Sequence, residues 1–360
     1  MKIIFLFEDF EIGGVERVYL NLINNINKTY KNVEIFVIAK SSNGNLKEYF
    51  QKTIIYETKN LKKFFETIEN LCPDIIFCTK TNLTLFALAA RVFSKYKKFK
   101  IITAIHNPLI LRGAKFTINL KRLIGSFFIF RIVDKIVTIS VDMKNSIKKL
   151  SKINNKIIVI ENPVLDHRID EMAKEPVDIS FDYLVAVGRL EYQKGYDIMI
   201  EIYDEFLKKY SEFKNVKLLI LGDGYCRRDI LRMIENKKLE ENVILYGNTN
   251  NPYKYIKNAK CLILTSRWEG FPTVLIESAY LGCPYMAFDC KFGPREIVQT
   301  IGGGYLVPYG NKTEFVDKIY KVLKEGYVWE RAKILKSLEP YFINNSSEKY
   351  YKLFSLEYNG

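Results

Sequence analysis

Residues 260–284 read K-C-L-I-L-T-S-R-W-E-G-F-P-T-V-L-I-E-S-A-Y-L-G-C-P. Cys261 to Leu264 is an apolar run of strand length. Thr265 to Phe271 is polar and aromatic loop. Pro272 suits the first turn of a helix, where its missing N–H costs nothing. Val274, Leu275, Ala279 and Leu281 give that helix an apolar side, and Gly282 and Pro284 end it. The stretch predicts a strand–loop–helix unit. The start of its helix has free N–H groups and the positive end of the dipole, so it suits a phosphate.

Two carboxylates frame that helix start. Glu269 precedes it in the loop. Glu277 lies four residues after Thr273, on the same side of the helix. A diphosphate can rest on the N–H groups of Phe271, Thr273 and Val274 with one carboxylate to each side. Carboxylates accept hydrogen bonds from hydroxyl pairs, and a nucleotide sugar has hydroxyls at both ends of its diphosphate. An ordinary βα unit with solvated carboxylates is the plainer reading of the same residues, and short motifs need context.

The context is alternation. Strands are expected at residues 2–7, 33–39, 75–78, 100–105, 135–139 and 156–160. Helices are expected from the Gly-rich turn Phe10–Arg17 to about Ile26, at 61–71, 83–95 and 116–131, and up to Leu150. Residues 161–181 hold two prolines and many charges without an apolar period, which reads as a linker. The alternation restarts with strands at 183–187, 216–221, 243–246, 261–264, 285–288 and 305–307. Helices are expected between them and at 312–325 and 345–357. Strands alternating with helices imply doubly wound, mainly parallel sheets. Ligands of such sheets sit off the carboxyl ends of the strands. The expected division is residues 1–165, 166–340 and a last helix within 341–360.

Several polar residues fall at those ends. Gly13 and Gly14 follow the first strand and let a ligand approach the backbone closely. His106 ends the strand 100–105. Arg189 and Lys194, in G-R-L-E-Y-Q-K-G (188–195), follow the strand 183–187. Two cations there would stabilise a departing diphosphate as its charge grows. Gly222 to Gly224 and Gly247 end two further strands. No two aspartates stand two residues apart, so the D-x-D metal motif is absent. Cations and a helix dipole can serve a diphosphate in place of a metal, and no metal or other cofactor is expected.

These stretches together resemble the retaining GT-B glycosyltransferases of family four. The likeness lies in the G-G loop, the histidine at a strand end, the R-x-x-x-x-K pair, the E-G-F-P-x-x-x-x-E frame and K-F-G-P-R-E (291–296), in family order. The resemblance implies two Rossmann-like domains facing across a cleft. It implies Arg189, Lys194, Glu269 and His106 in catalysis, with Glu269 on the donor sugar's hydroxyls and Glu277 on the ribose. The donor-binding set would be Gly13, Gly14, Gly188, Gly222, Gly247, Gly270, Phe271, Thr273, Val274 and Glu277. The 291–296 loop is similar to that of enzymes using uridine diphosphate sugars. An epimerase or hydrolase of the same fold is the nearest rival.

Charge adds a partner. Residues 1–165 hold 27 Lys/Arg against 13 Asp/Glu, and residues 166–360 hold 28 of each, so the whole excess of +14 lies in the first part. A one-sided basic half suggests a polyanionic neighbour. Residues 91–100 interleave aromatics with Lys95, Lys97, Lys98 and Lys100. Residues 115–131 flank Leu120, Leu123, Ile124, Phe127 and Phe128 with Lys115, Lys121, Arg122 and Arg131. Such segments can lie on anionic lipid headgroups, or can simply be core helices with a solvated basic edge. A basic non-enzymatic nucleic-acid binder is the rival of a different class, but no nucleic-acid motif supports it and no nucleic-acid partner is expected. No run approaches the ~20 apolar residues of a membrane span. Glu8, Asp9 and Glu11 interrupt the N-terminal run too early for a signal peptide. Six cysteines without a C-x-x-C pair fit a reducing compartment. The expected setting is therefore cytoplasmic and peripheral to the inner face of the membrane, with a nucleotide-sugar donor and a lipid-linked glycan acceptor.

Overall fold

The computed structural model describes residues 1–11, 13–58, 60–110, 116–290 and 292–359. Lys115 and Lys291, in two of the stretches named above, lie outside the described residues. The chain divides into two compact units, Met1–Val164 with Pro340–Gly360, and Leu165–Glu339.

The first unit holds β1 (Lys2–Phe7), α1 (Gly14–Thr29), β2 (Glu34–Ala39), β3 (Ile54–Glu57), α2 (Leu61–Leu71), β4 (Ile75–Cys78), α3 (Thr81–Phe93), β5 (Lys100–Ile105), α4 (Phe116–Ile132), β6 (Lys135–Thr138), α5 (Val141–Ser151) and β7 (Ile157–Val159). Its seven strands are parallel, in the order β3-β2-β1-β4-β5-β6-β7. The inner strands are buried on both faces, so β4 reads I-I-F-C without alternation. Asn60 and Ser140 cap α2 and α5, accepting from the N–H groups of Lys63 and Met143.

The second unit holds α6 (Arg168–Met172), β8 (Tyr183–Val187), α7 (Tyr196–Lys209), β9 (Lys217–Leu221), α8 (Arg227–Lys237), β10 (Val243–Gly247), α9 (Tyr253–Asn258), β11 (Cys261–Leu264), α10 (Thr273–Leu281), β12 (Tyr285–Asp289), α11 (Pro294–Thr300), β13 (Gly304–Pro308), α12 (Lys312–Glu325) and α13 (Arg331–Leu338). Its parallel sheet runs β10-β9-β8-β11-β12-β13. The last helix, α14 (Ile343–Asn359), belongs to the first unit. There it packs on α1, and Tyr350, Leu353 and Phe354 join Phe5 and Phe77 in that unit's core.

In each sheet the winding reverses once: between β1 and β4, and between β8 and β11. Such a switch point opens a crevice at the carboxyl ends of its two strands. These crevices place the residues discussed next.

Three local features differ from the sequence reading. The edge strand β3 follows a charged stretch and exposes Ile54, so it gave no clean apolar signal. The expected linker contains α6, and Asp170 on that helix accepts a hydrogen bond from Tyr280 at 2.5 Å. Pro272 stands one residue before the helix, as its N-cap, with ψ near 100°. Extended backbone at that position lets Thr273 supply the first helical N–H.

Candidate active site

In the second unit the 265–271 loop is laced to the loop that follows β8. Thr265 Oγ1 donates to the Gly195 carbonyl at 2.8 Å, and Gln193 Nε2 donates to the Trp268 carbonyl at 3.0 Å. Arg267 makes a bidentate pair with Asp197, at 2.9 and 2.6 Å, and stacks 3.9 Å from the Tyr192 ring. Burial pushes the Asp197 carboxyl up, and Arg267 more than offsets it, leaving it below the usual range. These contacts bind two loops at the β8/β11 switch point into one body.

That body aims one ion pair. Lys194 Nζ donates to Glu269 Oε1 at 2.7 Å, and Ser266 Oγ donates to the same oxygen at 2.6 Å. Glu269 is only 5% exposed. Glu269 and Lys194 were assigned to sugar and phosphate separately, but here they touch. A carboxylate held on one oxygen by an ammonium and a hydroxyl keeps its other oxygen as an acceptor. Arg189, by contrast, is exposed and pairs with Glu191 at 3.0 Å.

The donor-site candidates of the second unit lie at strand ends and at the start of α10. Gly188, Gly222 and Gly247 are connected at the ends of β8, β9 and β10: the Gly222 N–H donates to the Gly247 carbonyl at 2.7 Å, and the Gly188 N–H to the Leu221 carbonyl at 3.0 Å. Gly270, Phe271 and Val274 are buried beside the start of α10, with Thr273 partly exposed. Glu277 is buried on the same helix. The loop at 292–294 packs on this stretch so closely that a Cβ on Gly293 would meet Pro272 Cδ at 2.6 Å and the Gly270 carbonyl at 2.9 Å.

The first unit has its own polar cluster at the β1/β4 switch point. Lys80 Nζ lies 2.7 Å from Glu16 Oε1 and 3.7 Å from Glu8 Oε2. Burial pulls the Lys80 ammonium down, and Glu16 more than restores it. Glu16 folds back over the Gly13–Gly14 turn, where a Cβ on Gly13 would stand 2.4 Å from Glu16 Oε2. His106 ends β5 as expected and shares a 2.5 Å hydrogen bond between its Nε2 and the Tyr19 hydroxyl.

Burial, and then the charge of Lys80, lower the His106 pKa to about 3. Its ring is therefore neutral at any working pH. A stability prediction follows with a definite sign. Below pH 6.5 the unfolded chain takes up a proton at His106 that the folded chain refuses until about pH 3. The unfolded state binds more protons across that window, so stability falls as the pH falls, by up to ~1.4 kcal/mol per pH unit. Urea denaturation between pH 7 and pH 4 is expected to show a shallower loss for His106→Gln than for the unaltered protein. Equal slopes would show that His106 protonates freely in the fold.

The basic candidates divide. Lys95, Lys97, Lys98 and Lys121 are exposed, and Lys100 is half-buried. Arg122 turns inward, donating to the carbonyls of Pro108 and Leu109 at 2.8 and 3.2 Å, and burial lowers its pKa. It holds the loop after His106. Among the described residues, no helix is long and apolar enough to cross a membrane.

Sequence reasoning missed Ser266, the Arg267–Asp197 pair, Glu16, Lys80 and Tyr19. Glu16 stands two residues after the G-G turn it covers and was legible by proximity. Ser266, three residues before Glu269, was legible in the same way, and the others depend on partners distant in the chain.

Two doubly wound parallel sheets, each with a polar cluster at its switch point, make a GT-B architecture, and the protein is a glycosyltransferase of that class. Residues 12–168 match the family profile described as Glycosyltransferase Family 4, and residues 167–337 match Glycosyl transferases group 1. The chain belongs to glycosyltransferase family four. It is 28% identical over 268 residues to the Campylobacter jejuni N-acetylgalactosamine-N,N'-diacetylbacillosaminyl-diphospho-undecaprenol 4-alpha-N-acetylgalactosaminyltransferase, covering 73% of this chain and 70% of that one. It is 25% identical over 360 residues to the Salmonella typhimurium lipopolysaccharide 1,6-galactosyltransferase, covering 95% of each. Among solved structures, the Anabaena protein HepE, in complex with UDP and glucose, superposes with a TM-score of 0.83 at 15% identity over 99% of each chain. At that identity the likeness speaks for the fold.

Proposed function

We propose that the protein moves a hexose or N-acetylhexosamine from a nucleotide diphosphate sugar, UDP-linked, to a hydroxyl of a lipid-linked or surface glycan, with retention at the anomeric carbon and without a metal. The observation that carries this reading is the Lys194–Glu269 pair at the β8/β11 switch point, beside the N-terminus of α10. The sugar–diphosphate C–O bond breaks and the acceptor's O–C bond forms on the same face. The leaving phosphate takes the acceptor's proton. Lys194, Arg189 and the α10 dipole oppose the charge that grows on the diphosphate. Glu269 accepts from the sugar's hydroxyls, and neutral His106 supplies a hydrogen bond without a charge. The names of the Campylobacter and Salmonella relatives support a lipid-borne acceptor, and the UDP held by HepE supports the nucleotide. The working place is the cytoplasmic face of the membrane.

A thermal-shift panel of nucleotide sugars tests the donor. A bound donor at 100 times its Kd adds ~2.7 kcal/mol to stability by mass action. No shift with any UDP sugar would overturn the UDP assignment. Product analysis by NMR reads the anomeric configuration, and release of free sugar from donor alone would favour a hydrolase. Activity lost to a chelator and restored by Mn²⁺ would overturn the metal-free mechanism. Glu277→Ala is expected to weaken UDP binding in calorimetry as well as turnover, because the family resemblance assigns the ribose to this carboxylate, one turn beyond the start of α10. Unchanged UDP affinity would remove that role.

A further inference from the structure

Helix α4 shows an apolar side to solvent. Its inner side is ordinary: Ile129 and Phe130 are buried in the first unit. Its outer side is apolar as well. Leu120, Ile124, Phe128 and Ile132 recur every four residues, which places them in one row along the helix. All four are exposed, Phe128 at 59% and Ile124 at 51%. Exposed Lys121 and Arg131 border the row, and the Arg131 guanidinium lies 3.6 Å from the centre of the Phe127 ring. Two other helices of the same unit, α2 and α5, behave otherwise. The α2 helix presents chiefly Lys62, Lys63, Glu66 and Asn70, and α5 presents Asp142, Asn145, Lys148 and Lys149. A helix apolar on both sides is expected to have an apolar partner on each, and among the described residues only the inner side has one.

Helix α3 packs against α4. It ends in exposed Val92 and Phe93, and exposed Lys95, Lys97 and Lys98 follow at once. Apolar side chains edged with cations, in the half of the chain that carries the whole +14 excess, complement a surface that is apolar beneath and anionic above. Two copies meeting face to face would set the cations of one row, Lys121 and Arg131, against the cations of the other. Nucleic acid would use the cations and leave the apolar row without a partner.

We infer that the outer face of α4 lies in the headgroup layer of an anionic bilayer, with the row from Leu120 to Ile132 inserted and Lys121, Arg131 and Lys95–Lys98 on the phosphates. The inference deepens the membrane-side reading of the proposed function and narrows the apolar part of the attachment to the outer row of α4. An interfacial helix gains from buried apolar area and from attraction to anionic lipid together.

Co-sedimentation with vesicles of phosphatidylcholine alone, and of phosphatidylcholine with phosphatidylglycerol, at low and high salt, tests it. The unaltered protein is expected to pellet with the anionic vesicles at low salt. Ile124→Glu/Phe128→Glu is expected to reduce binding at least about tenfold. Changing Lys95, Lys97, Lys98 and Lys100 together to Gln is expected to weaken binding and flatten its salt dependence. The substituted apolar residues are exposed, and an unchanged thermal shift with UDP would show that the fold and the donor site survive. The inference is overturned if the unaltered protein stays in the supernatant, or if Ile124→Glu/Phe128→Glu binds as it does. It is also overturned if sedimentation velocity shows a dimer that this variant abolishes. Loss of vesicle binding with an intact UDP response rejects the surface and leaves glycosyl transfer standing. Vesicle binding without any nucleotide response does the reverse.

Discussion

Changing Lys194 to alanine is expected to lower kcat by a factor of roughly 10² or more, the size of effect seen when a group aimed at developing charge is removed. Lys194 has two tasks in the geometry. Its ammonium sits 2.7 Å from Glu269 Oε1 at the mouth of the β8/β11 switch point, within the loop that would meet a diphosphate. It also neutralises a carboxylate that is 5% exposed. Removing it leaves that carboxylate with Ser266 and without its ion-pair partner, which is destabilising in itself. The two effects can be separated. In Lys194→Ala with Glu269→Gln the unpaired charge is gone, so the thermal midpoint is expected to recover, while kcat falls well below that of Glu269→Gln alone. Equal kcat in those two variants would mean that Lys194 serves the fold alone. Arg189→Ala, at an exposed position paired with Glu191 at 3.0 Å, is expected to lower kcat with little change in the midpoint. Full activity in that variant would remove Arg189 from the mechanism.

Gly222→Ala is expected to destabilise the second unit by at least ~3 kcal/mol, among the larger losses a single substitution produces. Gly222 has φ near +143°, a region that side-chain-bearing residues avoid. A Cβ there would stand 2.0 Å from the Gly188 carbonyl oxygen, and backbone cannot step aside as a flexible side chain can. The shift would also break the Gly222 hydrogen bond to Gly247, loosening the ends of three adjacent strands at once. Urea denaturation reads the loss as a lower midpoint at constant m. A midpoint equal to that of the unaltered protein would mean that the β8–β9 end is free to rearrange. The glycine is thus required by close backbone approach, whatever it also does for a nucleotide.

Most elements were legible because their causes are local. The run I-I-F-C at 75–78 and the helix 61–71 between Asn60 and Pro73 match β4 and α2 to the residue. The strand β3 was missed because an edge strand need not be apolar on both faces. The frame from Glu269 to Glu277 was legible for the same local reason: a loop and the first turns of one helix fix its spacing.

Contacts between distant parts of the chain were not legible. Lys194 and Glu269 are 75 residues apart, and Tyr19 and His106 are 87 apart. What joins each pair is the strand order, which brings the ends of β8 and β11, and of β1 and β5, to one edge of a sheet. The outward side of α4 belongs to the same class. On its sequence, Leu123 and Phe127 are as apolar as Ile124 and Phe128, and the expected apolar face included all four. The structure half-buries the first two and exposes the others. Apolar periodicity identifies a helix, but when every side is apolar it carries no phase. By itself the sequence determined the alternating parallel architecture, the family and the residues around α10, all written in local spacing. Only the tertiary structure decided which charges pair, which histidine is held neutral and which side of α4 meets solvent, because each depends on what the sheet order places opposite it.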